Sequence, residues 1–302
     1  MRETESGKQS TTASQFIPAA AVTLCGLAWG AFWYPVRLIE TAGVGGAWVS
    51  LILFAVATVA PVPWLFKRRI WQDNVASIML TGFLLGTAFA LYTISLVMTD
   101  VVRAILLFYM TPVWSTLADV VLYGRRLTLG RALSIGFGLS GLMAILGTAG
   151  GLPLPHTAGD WVALVSGMCW AAGTQRSHAS PAHSLVLPVF AFSVCGLLSS
   201  MLILLVASGY DADLVRLDNA TEVVPWIVLL AVVVFVPPNF LVVWAAQRID
   251  SARVGILLMT EVLAGSITAA LWAGEPFGWR EGLGATLIVC AGLVEVLPLR
   301  QR

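Results

Sequence analysis

Residues 74–99, NVASIMLTGFLLGTAFALYTISLVMT, decide what kind of fold this chain adopts. No charged side chain interrupts them between Asp73 and Asp100. An α-helix needs about 20 predominantly apolar residues to cross the hydrocarbon core of a bilayer. The stretch is long enough on its own, so it predicts a transmembrane helix.

Comparable apolar runs occupy most of the remaining sequence. Five more windows free of charge and long enough to span lie between Lys8 and Arg37, Glu40 and Lys67, Arg131 and Asp160, His183 and Asp211, and Glu222 and Arg248. Four shorter runs carry a charge near an end or the middle and are also predicted spans, at residues 101–123, 160–175, 252–273 and 281–298. The sequence therefore predicts an all-α polytopic membrane protein with ten transmembrane helices.

The composition agrees with a membrane protein. Of the 302 residues, 58% are hydrophobic and only 11% are charged, and the mean hydropathy is +0.88. A soluble domain carries about 25% charged residues, so a soluble protein is excluded. The 17 basic and 16 acidic residues nearly balance and few basic ones cluster, which argues against a nucleic-acid partner. Neither a phosphate-binding glycine loop nor a metal-ligand cluster is present, and the four cysteines lie apart, so no cofactor or metal is predicted.

The distribution of basic residues predicts the orientation. With ten spans, the loops on one side hold only Arg37, Arg103, Arg216 and Arg280, whereas the other 13 of the 17 Lys and Arg residues share the opposite side with both termini. Basic loops stay in the cytoplasm, so both termini are predicted to be cytoplasmic. Residues 1–15 are polar and precede a run long enough to span, so we expect a disordered cytoplasmic tail and no cleavable signal peptide.

A short internal repeat relates the two halves of the chain. CGLAWGA at 25–31 parallels SGMCWAA at 166–172, which pairs Trp29 with Trp170 at an offset of 141 residues. The second match pairs AILLFYMTPV at 104–113 with RVGILLMTEV at 253–262, at an offset of 149 residues. Five spans fall in residues 16–150 and five in residues 151–302. Because five is odd, the halves must have opposite orientations, an arrangement that many secondary transporters use.

Two segments resemble a known family. Residues 92–112, YTISLVMTDVVRAILLFYMTP, and residues 274–292, GEPFGWREGLGATLIVCAG, are similar to the paired signatures of the drug/metabolite transporter superfamily, in its ten-helix EamA-type branch. The resemblance implies a transporter rather than an enzyme, most similar to bacterial exporters of aromatic amino acids. The sequence departs from the family pattern at Gly124-Arg125, where Gly-Glu is usual, and at Glu261, which replaces a proline like Pro112.

Residues about ten positions into a span lie near the middle of the bilayer. This criterion selects Trp29, Tyr109, Met110, Trp170, Met259 and Glu261 as candidate substrate-binding residues. No Lys or Arg meets it, which argues against an anionic substrate. Aromatic rings without fixed cations suit a flat apolar or zwitterionic molecule. Helix packing remains an equal alternative for Trp29 and Trp170.

Two polar residues complete the candidate site. An ionisable group near mid-membrane is costly, so Glu261 is predicted either to hold a substrate ammonium or to carry a proton. The alternative is a protonated Glu261 that hydrogen-bonds a neighbouring helix. Asn239 follows Pro237-Pro238, which lack backbone donors, so its amide either faces a cavity or bonds the backbone of a kink.

Together these features predict a secondary transporter of the bacterial inner membrane that exports hydrophobic or aromatic amino acids by alternating access. One alternative is efflux of lipophilic cations with Glu261 as the counter-charge. A membrane-embedded enzyme or scaffold is an alternative of another class. The small-residue rows at Gly82 and Gly86, and at Gly138 and Gly141, are predicted to permit close helix packing.

Overall fold

A chain in lipid must satisfy its backbone hydrogen bonds internally, which favours helices. The computed structural model describes residues 3–121, 129–146, 155–179, 182–246, 248, 257–274 and 278–296. Gly124-Arg125 and the boundary expected near residue 150 lie outside these ranges. The helices are α1 (Glu3–Gly30), α2 (Trp33–Thr41), α3 (Gly46–Val59), α4 (Val62–Leu65), α5 (Val75–Met98), α6 (Val101–Phe108), α7 (Thr111–Val121), α8 (Leu129–Leu146), α9 (Ala158–Ala179), α10 (Val186–Ala207), α11 (Ala220–Leu230), α12 (Val236–Ala246), α13 (Thr260–Thr268) and α14 (Trp279–Val296).

Four segments of the described chain are long and apolar enough to cross a membrane. They are Phe16–Thr41, Val75–Met98, Val186–Ala207 and Ala220–Ala245. The quoted stretch 74–99 corresponds to the second of these. Several other apolar runs consist of shorter helices separated by turns, such as α6 and α7, so length alone does not identify them as spans. The count of ten transmembrane helices stays a prediction.

Helix α1 begins at Glu3, within the segment that we expected to be a disordered tail. Helical backbone thus continues from the apolar run into the polar residues before it. The segment between Glu3 and Gln15 contains no proline and no residue that must end a helix, apart from the weak helix former Gly7. The disordered tail expected at residues 1–15 stays a prediction.

Helix α5 is the central packing element, because it lies against both α9 and α10. Small residues permit the close approach of α5 to α10. A Cβ atom added to Gly82 would lie 2.5 Å from the carbonyl carbon of Ala191, and one added to Gly86 would lie 2.5 Å from both the Phe192 oxygen and the Gly196 nitrogen. The predicted packing role of Gly82 and Gly86 is confirmed, since the backbones meet where these glycines lack side chains.

Backbone hydrogen bonds join two turns at one end of the bundle. The Gly45 N–H donates to the Arg216 carbonyl at 2.8 Å, and the Asp218 N–H donates to the Gly43 carbonyl at 3.0 Å. Gly43 has a φ of 104°, which a residue with a side chain rarely adopts. The α2–α3 turn and the α10–α11 connection are therefore held together here.

Two short π-helical segments interrupt the later helices. Ala231–Phe235 separates α11 from α12, and Ala269–Ala273 follows α13. The first lies directly before Pro237 and Pro238, which cannot donate to the helical ladder. The interruption widens the helix at Phe235, whose ring is fully buried. This ring belongs to a cluster of aromatic side chains in the interior of the bundle.

Candidate functional site

Two helices break at the residues that the sequence repeat matches. Helix α6 ends at Phe108, a turn contains Tyr109 and Met110, and α7 begins at Thr111. Correspondingly, residues 257–258 are helical, Met259 lies in a turn and α13 begins at Thr260. Pro112 has no N–H to donate to the Phe108 carbonyl four residues earlier, which accounts for the first break. Both Met-Thr pairs thus mark a discontinuous helix.

The threonine of each pair stabilises the break. The Thr111 hydroxyl donates to the Phe108 carbonyl at 2.8 Å, and the Thr260 hydroxyl donates to the Leu257 carbonyl at 2.8 Å. At Phe108 the hydroxyl replaces the backbone donor that Pro112 lacks, and at Leu257 the hydroxyl adds a side-chain bond beside the break. Discontinuous helices in transporters commonly form substrate sites, because they bring polar groups to mid-membrane depth.

Glu261 lies one residue after the second break and is held by two tyrosines. The Tyr92 hydroxyl donates to Glu261 Oε1 at 2.8 Å, and the Tyr109 hydroxyl lies 2.8 Å from Glu261 Oε2. Only 3% of Glu261, 2% of Tyr92 and 7% of Tyr109 is exposed. We call these three residues the Glu–Tyr cluster. It joins α5, the α6–α7 turn and α13.

The Glu–Tyr cluster contains no positive charge. Among the described residues, no Lys, Arg or His side chain lies within ion-pair distance of Glu261. A buried carboxylate without a cation is strongly destabilising, so such a group is either protonated or paired with a bound cation. One proton or one bound cationic group therefore neutralises the negative charge of Glu261 in this site.

The Tyr109 hydroxyl lies between two oxygen atoms, and the protonation of Glu261 decides which of them it bonds. The Tyr109 hydroxyl lies 2.8 Å from Glu261 Oε2 and 2.9 Å from the Leu258 carbonyl oxygen. A phenol carries a single proton, which it cannot donate fully to both oxygens. If Glu261 is protonated at Oε2, it donates to Tyr109, and Tyr109 donates to Leu258. All three groups are then satisfied.

Aromatic rings surround the Glu–Tyr cluster. Tyr92 packs on Phe108 with ring centres 4.6 Å apart, and Phe108 contacts Trp170 at 5.8 Å. On the other side, Phe89 lies 6.0 Å from Tyr92 and 5.7 Å from Trp29. Phe89 also contacts the rings of Phe32, Phe54, Phe192 and Phe235. Together these rings form one continuous cluster, which we call the aromatic core.

The predicted site residues fall into two groups. Tyr109 and Glu261 contact each other directly, whereas ring contacts with Phe89 and Phe108 connect Trp29 and Trp170 to the Glu–Tyr cluster. Trp29 is buried and Trp170 is half-buried. Met110 and Met259 are buried at the two breaks, with Met110 packed beside Gly138.

Asn239 has a different environment. Its side-chain Nδ2 donates to the Phe235 carbonyl at 2.6 Å, four residues earlier in the interrupted helix. This is the backbone bond expected for a kink near Pro237-Pro238. Among the residues that the structure describes, no hydrogen bond joins Asn239 to Glu261.

The sequence interpretation missed Tyr92, Phe89 and Phe108. Counting along the span from residue 74 places Tyr92 near its end, so depth alone did not select it. The polar pair Tyr92-Thr93 inside an otherwise apolar run was the available signal.

Two buried polar atoms on α1 and α13 lack partners among the described residues. Within the described ranges, Trp29 Nε1 and Ser266 Oγ make no hydrogen bond although their residues are 4% and 3% exposed. Trp29 precedes Gly30, which packs against the Glu261 backbone, and Ser266 lies on α13. Unsatisfied buried donors are rare, so each is a candidate to bind a ligand.

A polar cavity of about 470 Å³ lies near the α5–α6 corner. Its charged and polar lining consists of Arg37, Thr99, Asp100, Arg103, His156 and Thr157. Arg37 donates to the carbonyls of Leu96 and Thr99, at the end of α5. The cavity therefore opens where α2 and α5 meet the start of α9.

The apolar helices, the paired helix breaks and the buried Glu–Tyr cluster define a multi-pass membrane protein of the transporter class. The EamA-like transporter family profile matches the chain twice, at residues 16–147 and 157–295. The chain belongs to this family, within the drug/metabolite transporter superfamily, whose members move small molecules and are not enzymes.

The fold is also similar to that of solved structures. Seventeen chains match, and one of them, titled only as the crystal structure of a protein, has a TM-score of 0.55 at 16% sequence identity. That match covers 92% of this chain and 96% of the other. No curated protein matches the sequence. At this identity, the likeness describes the fold alone.

Proposed function

We propose that this protein is a secondary transporter that exports hydrophobic or aromatic amino acids, or similar small metabolites, by alternating access. The observation that carries the proposal is the buried Glu–Tyr cluster, which holds a carboxylate without a cation beside the aromatic core. A substrate ammonium supplies the missing positive charge. The aromatic rings supply apolar contact area for a hydrophobic side chain.

The unpartnered atoms support a zwitterionic substrate. Trp29 Nε1 and Ser266 Oγ are buried donors without partners in the described chain, and a substrate carboxylate accepts hydrogen bonds from such groups. An amino acid then contacts Glu261 through its ammonium and these donors through its carboxylate. A lipophilic cation is the second candidate, because it also satisfies Glu261, but it leaves both donors unused.

Helix packing supports two inverted repeats of five spans. Under this proposal α1 corresponds to α9, α5 to α11–α12 and α6–α7 to α13. Helix α5 packs on α9, and correspondingly α12 packs on α1; likewise α6 packs on α9, and α13 packs on α1. The α8–α14 contact and the α3–α10 contact each join a span of one repeat to the equivalent span of the other repeat. Each of these contacts therefore either has an equivalent contact in the other repeat or joins two equivalent spans, as a two-fold relation requires.

For orientation, we expect both termini in the cytoplasm of a bacterial inner membrane, because the loops on that side hold 13 of the 17 basic residues. Reporter fusions at residues 1 and 302 should give the same cytoplasmic signal. A fusion after Ser208, in the loop between α10 and α11, should give the opposite signal. Termini on opposite sides of the membrane would contradict both the span count and the inverted repeat.

Transport in liposomes tests the proposed substrate. Purified protein should exchange labelled phenylalanine, tryptophan or leucine against the unlabelled amino acid inside the vesicle, and the solute should be recovered unaltered. Protein-free liposomes measure leakage. Movement of a lipophilic cation without amino-acid exchange would select the cation alternative. Chemical alteration of the solute would indicate an enzyme, and the absence of any movement would contradict the transport proposal.

A further inference from the structure

Asp160 is a buried carboxylate at the end of the bundle that holds the polar cavity, and it accepts several hydrogen bonds. Its side chain is 0% exposed. It accepts hydrogen bonds from the Thr99 hydroxyl at 2.7 Å and from Arg103 at 2.6 Å and 3.3 Å. The backbone N–H groups of His156 and Thr157 donate to it as well, at 3.0 Å and 3.4 Å.

The three bonds from Thr99 and Arg103 cross from one half of the chain to the other. Thr99 and Arg103 belong to the α5–α6 corner in the first half, whereas Asp160 lies in the first turn of α9 in the second. The bond from Arg103 uses two guanidinium nitrogens on one carboxylate, the geometry of a strong charge-assisted contact. Separation of α6 from α9 at this end requires that these bonds break.

The positions that the repeat makes equivalent to Arg103 and Asp160 carry no charge. The repeat offset of 141 residues places Ala19 where Asp160 stands, and the offset of 149 residues pairs Arg103 with Ala252. Neither alanine can form an ion pair. The Arg103–Asp160 contact therefore has no counterpart at the positions that the repeat makes equivalent.

From this asymmetry we propose that the Arg103–Asp160 pair is a gate, which closes the α5–α6 end of the transport path and makes that end the closed one at rest. The inference rests on the proposed alternating-access function. In the proposed orientation this is the extracytoplasmic end. The neighbouring cavity is then the outer vestibule in its closed form.

Thiol labelling of purified protein in detergent tests the gate without a substrate and without knowledge of the orientation. The reporter is Ala163→Cys in a chain whose four native cysteines are replaced by serine. Ala163 is fully buried and lies one turn from Asp160 on the same face of α9. A second reporter, Ser208→Cys, lies at an exposed position and measures reagent reactivity.

Arg103→Gln should accelerate labelling at position 163 by about tenfold, the change that 1.4 kcal/mol of lost stabilisation of the closed state gives. It leaves the backbone contacts of Asp160 in place, so α9 keeps its N-terminal cap. Arg103→Lys should restore part of the protection. The position 208 reporter should react equally in all three chains.

Equal labelling of position 163 in the Arg103→Gln variant and the parent would overturn the gate. If Arg103→Gln does not fold, Thr99→Val removes one bond to Asp160 without a change of charge and should give a smaller acceleration; no acceleration there would overturn the gate too. Failure of amino-acid exchange with faster labelling would reject the proposed substrate and keep the gate. Normal amino-acid exchange with unchanged labelling would reject the gate and keep the proposed substrate.

Discussion

Glu261→Gln is expected to weaken substrate binding by at least about 30-fold at every pH if Glu261 pairs with a substrate ammonium, because loss of one member of a buried charge pair costs about 2 kcal/mol or more. The glutamine is close in shape to a protonated glutamate. It can accept from Tyr92 through its oxygen and donate to Tyr109 through its amide. We therefore expect the variant to fold.

A proton-carrying role predicts a different result for the same variant. Flux driven by a pH gradient should lose its pH dependence, whereas solute exchange at equal pH should continue. Equilibrium exchange and gradient-driven flux in liposomes separate these two roles. Unchanged values in both assays would eliminate both roles and leave Glu261 as a structural hydrogen-bonding group.

Glu222→Gln is the matched control. Glu222 lies in the first turn of α11 and is exposed, so the same change of charge occurs outside the Glu–Tyr cluster. Transport by this variant should equal that of the parent. Equal losses in both variants would indicate a general effect of charge rather than a role for the Glu261 site.

Gly86→Ala is expected to produce the largest loss of stability. The added Cβ would lie 2.5 Å from the Phe192 oxygen and 2.5 Å from the Gly196 nitrogen, so the backbones of α5 and α10 must separate. Overpacking of a well-packed interior costs about 1–3 kcal/mol when side chains can move, and here the obstructing atoms are backbone. We expect a cost of about 3 kcal/mol or more, seen as a lower Tm and reduced yield of monodisperse protein.

Gly136→Ala provides the comparison for this prediction. Both glycines lie within long helices, but no heavy atom lies within 4 Å of a Cβ added to Gly136. Alanine is the better helix former by about 1 kcal/mol, so this variant should be as stable as the parent or slightly more stable. A Tm for Gly86→Ala equal to that of Gly136→Ala would show that α5 and α10 do not pack as described.

The linear pattern of the sequence was sufficient for several properties. The charge-free run 74–99 and the low charge content predict apolar helices, and the structure and the family match agree with them. The repeated Met-Thr pairs were visible in the sequence, although only the structure shows that the two helices break there. Counting along the span also indicates that Glu261 is withdrawn from water. These properties depend on residues that are neighbours in the chain, so the sequence carries them directly.

The partners of those residues came only from the tertiary structure. Apolar periodicity reports depth along one helix, but in a chain that is apolar on most faces it does not say which face meets which neighbour. Tyr92 and Glu261 are 169 positions apart, and Arg103 and Asp160 are 57 apart. Helix α5 brings Tyr92 to Glu261, and the α5–α6 corner brings Arg103 to Asp160, because close backbone packing between distant helices fixes where those side chains point. The sequence by itself determined that this chain is helical and belongs in lipid, whereas the packing of distant helices decided which polar groups satisfy one another there, since each buried group must find its partner inside the protein.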